Sequence, residues 1–261
     1  AIVTCLIASM FRRDTRMSVK TVVNALERGA KGALIVAICC ASAGLITGVI
    51  SMTGLGMRFS DILVQVAGGS MFVLLFLTML ASLILGLPLP PVTCYLILAV
   101  LAAPALVKAG VLPMAAHLFC FFFGALGNIS PPVAPTSFAA AGIAETDPVK
   151  TTNLTFLYSL PAFLVPYLYV YSNELLLMGT PFKLLTVIIS SFVGLSCMAV
   201  MFHGYLFRSL SWLERILFLI GGLILVYPHW ITDIVGYGLL ALLVAWQLPA
   251  LKANRRKEAA A

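Results

Sequence analysis

Gly127-Asn128-Ile129-Ser130-Pro131-Pro132-Val133-Ala134-Pro135 interrupts an otherwise apolar region running from Leu112 to Ala144. A similar interruption, Gly86-Leu87-Pro88-Leu89-Pro90-Pro91, falls inside the apolar region from Ile62 to Val107. In hydrocarbon every backbone N–H and C=O needs a partner, so a broken helix persists only against protein or a water-filled cavity. Pro131 and Pro132 remove two backbone donors and push the residues before them out of the helical conformation; Pro88, Pro90 and Pro91 do the same at the other break. Each break lies near the middle of its apolar region, hence near the bilayer midplane.

The rest of the chain supports the hydrocarbon setting. Of 261 residues, 62% are apolar and 10% charged, and the mean hydropathy is +1.09. A soluble domain is nearer a quarter charged. A net charge of +7 raises the question of nucleic acid, but the charges sit in short clusters between apolar runs, the pattern of membrane topology. No nucleic-acid partner is expected; the lipid bilayer is. Cys5, Cys39, Cys40, Cys94, Cys120 and Cys197 lie in apolar segments without a CxxC pair and read as small packed hydrophobes.

Outward from the breaks, an apolar stretch ending near Met10 is followed by a basic segment, Phe11 to Lys31. Ten residues are too few for a span, which takes about 20, so residues 1–10 read as the end of a helix whose beginning is missing. Thr21 to Ala33 has amphipathic spacing and is expected to lie at the interface as a connector. The first complete span is expected over Gly32–Thr53, with an interfacial stretch over Gly54–Asp61. Further spans are expected near Leu154–Tyr171, Leu184–Phe202, Trp212–Tyr227 and Ile231–Leu248. If Ile62–Val107 is a re-entrant hairpin that does not cross, every one of the 16 basic residues except Arg58, Lys108 and Lys183 falls on one side. A crossing there would put Lys150 and the later basic loops opposite the N-terminal cluster, so the positive-inside rule favours the hairpin. The expected fold is all-α, integral to the membrane, with polytopic helices, a re-entrant hairpin and a discontinuous helix.

Breaks of this kind free carbonyl oxygens, and half-helix ends present dipoles that hold small ions or anionic groups. The candidate cation ligands are the carbonyls around Gly86, Leu87, Asn128 and Ile129, the Ser130 hydroxyl and the Asn128 amide oxygen, all suited to a small hard cation. No Asp or Glu lies in the middle of a span, so a proton relay has no candidate and coupling tilts to Na⁺. His117 reads as a packed residue. HExxH, GxSxG and P-loop patterns are missing, which speaks against hydrolase chemistry and ATP binding. No catalytic residue and no cofactor are expected. A channel, a membrane scaffold and a membrane enzyme are the rival readings; a channel would need a continuous polar lining.

Ala81-Ser82-Leu83-Ile84-Leu85-Gly86, Leu89-Pro90 and Tyr95 to Leu106, with Ala116-His117-Leu118-Phe119, Ser130-Pro131-Pro132-Val133-Ala134 and Ala139 to Ala144, resemble the large permease subunit of TRAP (tripartite ATP-independent periplasmic) transporters. The fused permeases that work with TAXI-type binding proteins are the most similar. Thr53-Gly54-Leu55-Gly56 and Gly204-Tyr205-Leu206-Phe207-Arg208 extend the likeness over nearly the whole chain. The resemblance implies Na⁺-coupled import of an organic acid through an elevator motion in a bacterial or archaeal inner membrane. It also implies a periplasmic TAXI-type binding protein, an N-terminal permease half and small-subunit helices as partners. Residues 32–172 would form the second inverted repeat, with the hairpin at about 62–107 and the unwound helix at about 112–144. Residues 1–31 would end a truncated helix and add a cytoplasmic connector, and residues 173–261 would add C-terminal helices and a basic tail. By position the Na⁺ ligands would be Gly86, Leu87, Asn128, Ser130 and Val133, with substrate against Pro88, Thr93, Pro135 and Thr136. Where relatives read Gly-Met-Gly-Leu-Pro-Thr-Thr, this chain has Pro88 for the second glycine and Pro91 and Val92 for the threonines.

Overall fold

The computed structural model describes residues 9, 18–226 and 230–258, with side chains at all of these but 32, 33, 35, 36, 39 and 248–258. Cys5, Arg12, Arg13, Arg16 and His229 lie outside the described residues, as does nearly all of the truncated helix expected over 1–10. All regular structure among the described residues is helical, as the composition predicts. Three stretches are long and apolar enough to cross a membrane, Pro148–Tyr171, Pro181–His203 and Trp230–Gln247. Large apolar side chains such as Phe182, Phe192 and Trp246 point outward, as a lipid-facing surface requires.

Helix α1, Val19–Thr53, starts where the Ser18 hydroxyl accepts the Thr21 N–H and ends at Gly54, whose φ of 67° suits glycine. No proline precedes Pro88, so nothing stops the helix at Gly32. The expected connector and the expected first span therefore run as one helix of 35 residues. Its length is about 52 Å, well beyond the roughly 30 Å hydrocarbon core.

Helix α2, Leu55–Ala67, turns away, its axis bent by 74° from the Cys40–Thr53 part of α1. Gly56, Ser60, Leu63 and Ala67 form its buried face. The Ser60 hydroxyl donates to Leu101 O at 2.9 Å, and Lys108 pairs with Asp61 at 2.7 Å. Ile62–Ala67 thus belong to this helix, and the hairpin begins only after Gly68 and Gly69, both at positive φ.

The hairpin is α3, Met71–Gly86, and α4, Pro91–Leu101, with a short α5, Ala103–Lys108, after it. Neither arm reaches the length of a span. Both pack on α6, Pro113–Gly127, and the register shows the reversal. Along α3, Ser82 lies against Cys120 and Gly86 against Gly127, so α3 and α6 run the same way. Leu89 meets Asn128, Cys94 meets Gly124 and Tyr95 meets His117, so α4 runs against α6. The chain turns back on itself at the tip. Phe119, Phe123, Leu75 and Leu98 fill the core between these helices.

After the second break come α7, Pro135–Ile143, and α8, Pro148–Ser159, which continues through the 3-10 turn Leu160–Leu164 into α9, Val165–Tyr171. Phe163 and Tyr167 set their ring edges against Phe123. A further 3-10 turn, Asn173–Leu176, leads into the C-terminal helices α10 (Pro181–His203), α11 (Trp212–Val226) and α12 (Trp230–Glu258). Helices α10 and α11 cross at Gly194 and Gly222. A Cβ on either would sit 2.9 Å from the other's carbonyl oxygen. Close backbone approach through small residues is how helices pack where lipid removes the hydrophobic drive. His203 stacks on Tyr158, ring centroids 4.3 Å apart, tying α10 to α8.

Candidate ion and substrate site

The two breaks expected from the prolines lie side by side. A Cβ on Gly86 would collide with Gly124 O, and one on Gly127 would be 2.7 Å from the Gly86 carbonyl carbon. Only glycine at these positions lets the ends of α3 and α6 meet backbone to backbone. The Asn128 amide then donates from Nδ2 to Leu89 O at 3.2 Å, across the gap between tip and break.

The breaks differ in what they do with their carbonyls. In a helix each C=O accepts from the N–H four residues on. For Gly86 that residue is Pro90, and for Leu87 it is Pro91, so both carbonyls lose their helical donors. Leu87 N still reaches Leu83 O at 3.1 Å, which closes α3 before the tip. The break after α6 instead repairs itself. Ser130 N donates to Gly127 O at 3.1 Å, the Ser130 hydroxyl donates to Leu126 O at 2.8 Å, and Thr136 N donates to Asn128 O at 3.2 Å. Pro131-Pro132 is a cis peptide, and Ala134, at φ 39°, redirects the chain into α7.

Of the expected cation ligands, Gly86, Leu87 and Asn128 come together at the crossing. Ser130 sits just beyond it, 6% exposed. Its proton is committed to Leu126 O, so its lone pairs are what it can offer a cation. Val133 is 45% exposed, on the far side of the cis peptide, with no hydrogen bond linking it to the tip. Among the substrate candidates, Pro88, Pro135 and Thr136 are exposed beside the two breaks. Thr93 is buried, its hydroxyl 3.6 Å from Cys40 Sγ on α1, and so belongs to the packing of α1 on α4. His117 Nδ1 lies 3.2 Å from the Tyr95 hydroxyl, the packed histidine the sequence suggests.

No group of three or more His, Cys, Asp or Glu side chains comes together among the described residues. Neutral oxygens are what this crossing offers, a donor set suited to a hard monovalent ion and unsuited to a transition metal. Sequence reasoning missed the α3 face below it. Thr78, Ser82 and Gly86 recur every four residues, all buried, and Thr78 Oγ1 has no hydrogen-bond partner among the described residues. That spacing in an apolar helix was the available signal.

The family model for the Tripartite ATP-independent periplasmic transporter, DctM component, matches residues 1–184. This chain belongs to that family. No curated protein and no solved structure matches it. As a DctM permease it is a membrane component of a TRAP transporter and not an enzyme, and the family works with a periplasmic binding protein and a small membrane subunit. The matched residues include α1 to α9 and with them both breaks. Nearly all of the α10–α12 bundle lies beyond the match.

Proposed function

We propose that this DctM chain couples import of an organic acid to Na⁺, with the ion held between the hairpin tip and the broken helix. The observation carrying this reading is the meeting of the two breaks: Gly86 against Gly127, Leu89 bonded to Asn128, and the Gly86 and Leu87 carbonyls without helical donors. A Na⁺ there would replace lost backbone donors with a cation, which suits carbonyls buried at membrane depth. Ser130 would add its hydroxyl oxygen and Asn128 its amide Oδ1, the Asn128 carbonyl being taken by Thr136 N–H, while Val133, exposed and unlinked to the tip, would stay at the edge of the set.

The substrate carboxylate would sit beside Pro88, Pro135 and Thr136, where the starts of α4 and α7 present the positive ends of their dipoles. Thr93, buried where α1 packs on α4, would support α4 rather than touch the substrate. A TAXI-type periplasmic protein would deliver the acid, and the hairpin with the broken helix would move as an elevator against an N-terminal half. Placement in a bacterial or archaeal inner membrane belongs to the same reading, as does the division into a repeat over 32–172 and added helices over 173–261.

The test uses the complete permease in liposomes with its binding protein. Substrate uptake is expected only under an inward Na⁺ gradient. Equal uptake in K⁺ buffer would remove Na⁺ from the mechanism.

A further inference from the structure

Asn128 does more than sit among the expected ligands. Its side-chain Nδ2 donates to Leu89 O at 3.2 Å, and its own carbonyl accepts Thr136 N–H at 3.2 Å. One residue thus holds the hairpin tip on one side and the start of α7 on the other. The tip has little else to hold it. Pro88, Pro90 and Pro91 carry no N–H, and Leu87 N is already spent on Leu83 O. Among the described residues no other side-chain hydrogen bond joins the Leu87–Pro90 tip to the 128–134 loop. Pro88 is exposed, whereas Gly86 beneath it is packed against α6. The tip therefore rests on a fixed glycine contact at its base and a single polar fastener at its end.

We propose that Asn128 is a positioning residue that latches the hairpin tip to the broken helix and sets how often the tip lifts away. The inference deepens the transport reading and rests on it, since a tip over the ion site gives the latch its purpose. With the latch closed, the Leu89 carbonyl is spoken for by the amide and the ion site is covered. With it open, Leu89 O and the amide both need water, so opening and wetting of the site go together.

The experiment is hydrogen exchange of the complete permease, read on the peptide from Leu83 to Tyr95, for the natural protein, Asn128→Ala and Asn128→Asp. Asn128→Asp keeps the shape and removes the donor. Loss of one such bond is expected to speed tip exchange about five- to tenfold in both variants, with or without Na⁺. Exchange around Gly194 and Gly222 should not change. Unchanged tip exchange in both variants would overturn the latch. So would tip exchange in Asn128→Asp no faster than in the natural protein when Na⁺ is absent, because the donor would then not be what holds the tip. Failure of the transport reading looks different: faster tip exchange in the variants, yet natural-protein uptake indifferent to Na⁺.

Discussion

Among the described residues two crossings bring glycine against glycine, and they are built alike. At one, Gly86 meets Gly124 and Gly127; at the other, Gly194 meets Gly222. Both bring helix backbones closer than any Cβ allows. Only the first stands beside proline-broken ends, with carbonyls that lack helical donors. At the second, α10 runs on to His203 and α11 to Val226, so the Gly194 and Gly222 carbonyls keep the helical donors four residues on. Close packing alone thus makes a rigid joint, and a joint becomes a candidate ion site only when the helices end at it.

The largest effects should come from filling the two joints. Gly127→Ala would force its Cβ to within 2.7 Å of the Gly86 carbonyl carbon. Separating tip and break by even ~1 Å is expected to cut uptake by about a hundredfold, as misplaced groups do in other sites. Gly222→Ala meets Gly194 O at 2.9 Å and Met198 Cγ at 2.8 Å. It should lower stability by ~1–3 kcal/mol, seen in a thermal melt, while uptake per folded molecule stays within about twofold. Equal loss of specific uptake in both variants would erase the distinction between the joints.

A finer probe restores one donor. Pro90→Ala returns an N–H four residues after Gly86, and a repaired Gly86 carbonyl should bind Na⁺ worse, raising the half-saturating Na⁺ concentration by about fivefold. Pro161→Ala, in the span from Pro148 to Tyr171, should leave that titration alone. An unaltered titration in Pro90→Ala would take the Gly86 carbonyl out of the site.

The sequence spelled out the breaks because proline and glycine act locally: Pro88, Pro90 and Pro91 end α3, and Pro131 and Pro132 end α6, whatever surrounds them. It also showed the membrane setting and, through the basic residues, a reason for the hairpin. Contacts between distant segments were not legible. Nothing local marks Asn128 as the partner of Leu89, and Gly124 reads as any helix glycine until Cys94 and Leu98 press on it. A change in polarity at Gly32 suggests a boundary inside α1, although polarity alone does not stop a helix. Gly68 and Gly69 sit inside an apolar run with no proline or charge beside them, yet they separate α2 from the hairpin.

Smaller effects lie away from the crossing. Thr78→Val replaces a buried hydroxyl that has no partner among the described residues. It should be neutral or stabilising by ~1 kcal/mol in a melt, with Na⁺ dependence unchanged. A lost Na⁺ response would extend the site down α3. The Lys183 ammonium beside Glu174 holds that carboxyl below its usual range, helped by the Ser172 hydroxyl. A depressed carboxyl stabilises the fold above its unfolded pKa, and that contribution fades as pH falls through the lower folded value. Glu174→Gln should therefore cost on the order of 0.5 kcal/mol at neutral pH and nothing in strong acid, measured by melts across pH.

Direct Na⁺ binding to the purified complete permease tests the central claim most closely, with Ser130→Ala set against Ser191→Ala. Both serines are buried, the first at the break and the second in the C-terminal bundle. The account predicts saturable Na⁺ binding, weakened about tenfold by Ser130→Ala and unchanged by Ser191→Ala. Equal binding by all three proteins, or none by any, would contradict an ion held where the two broken helices meet.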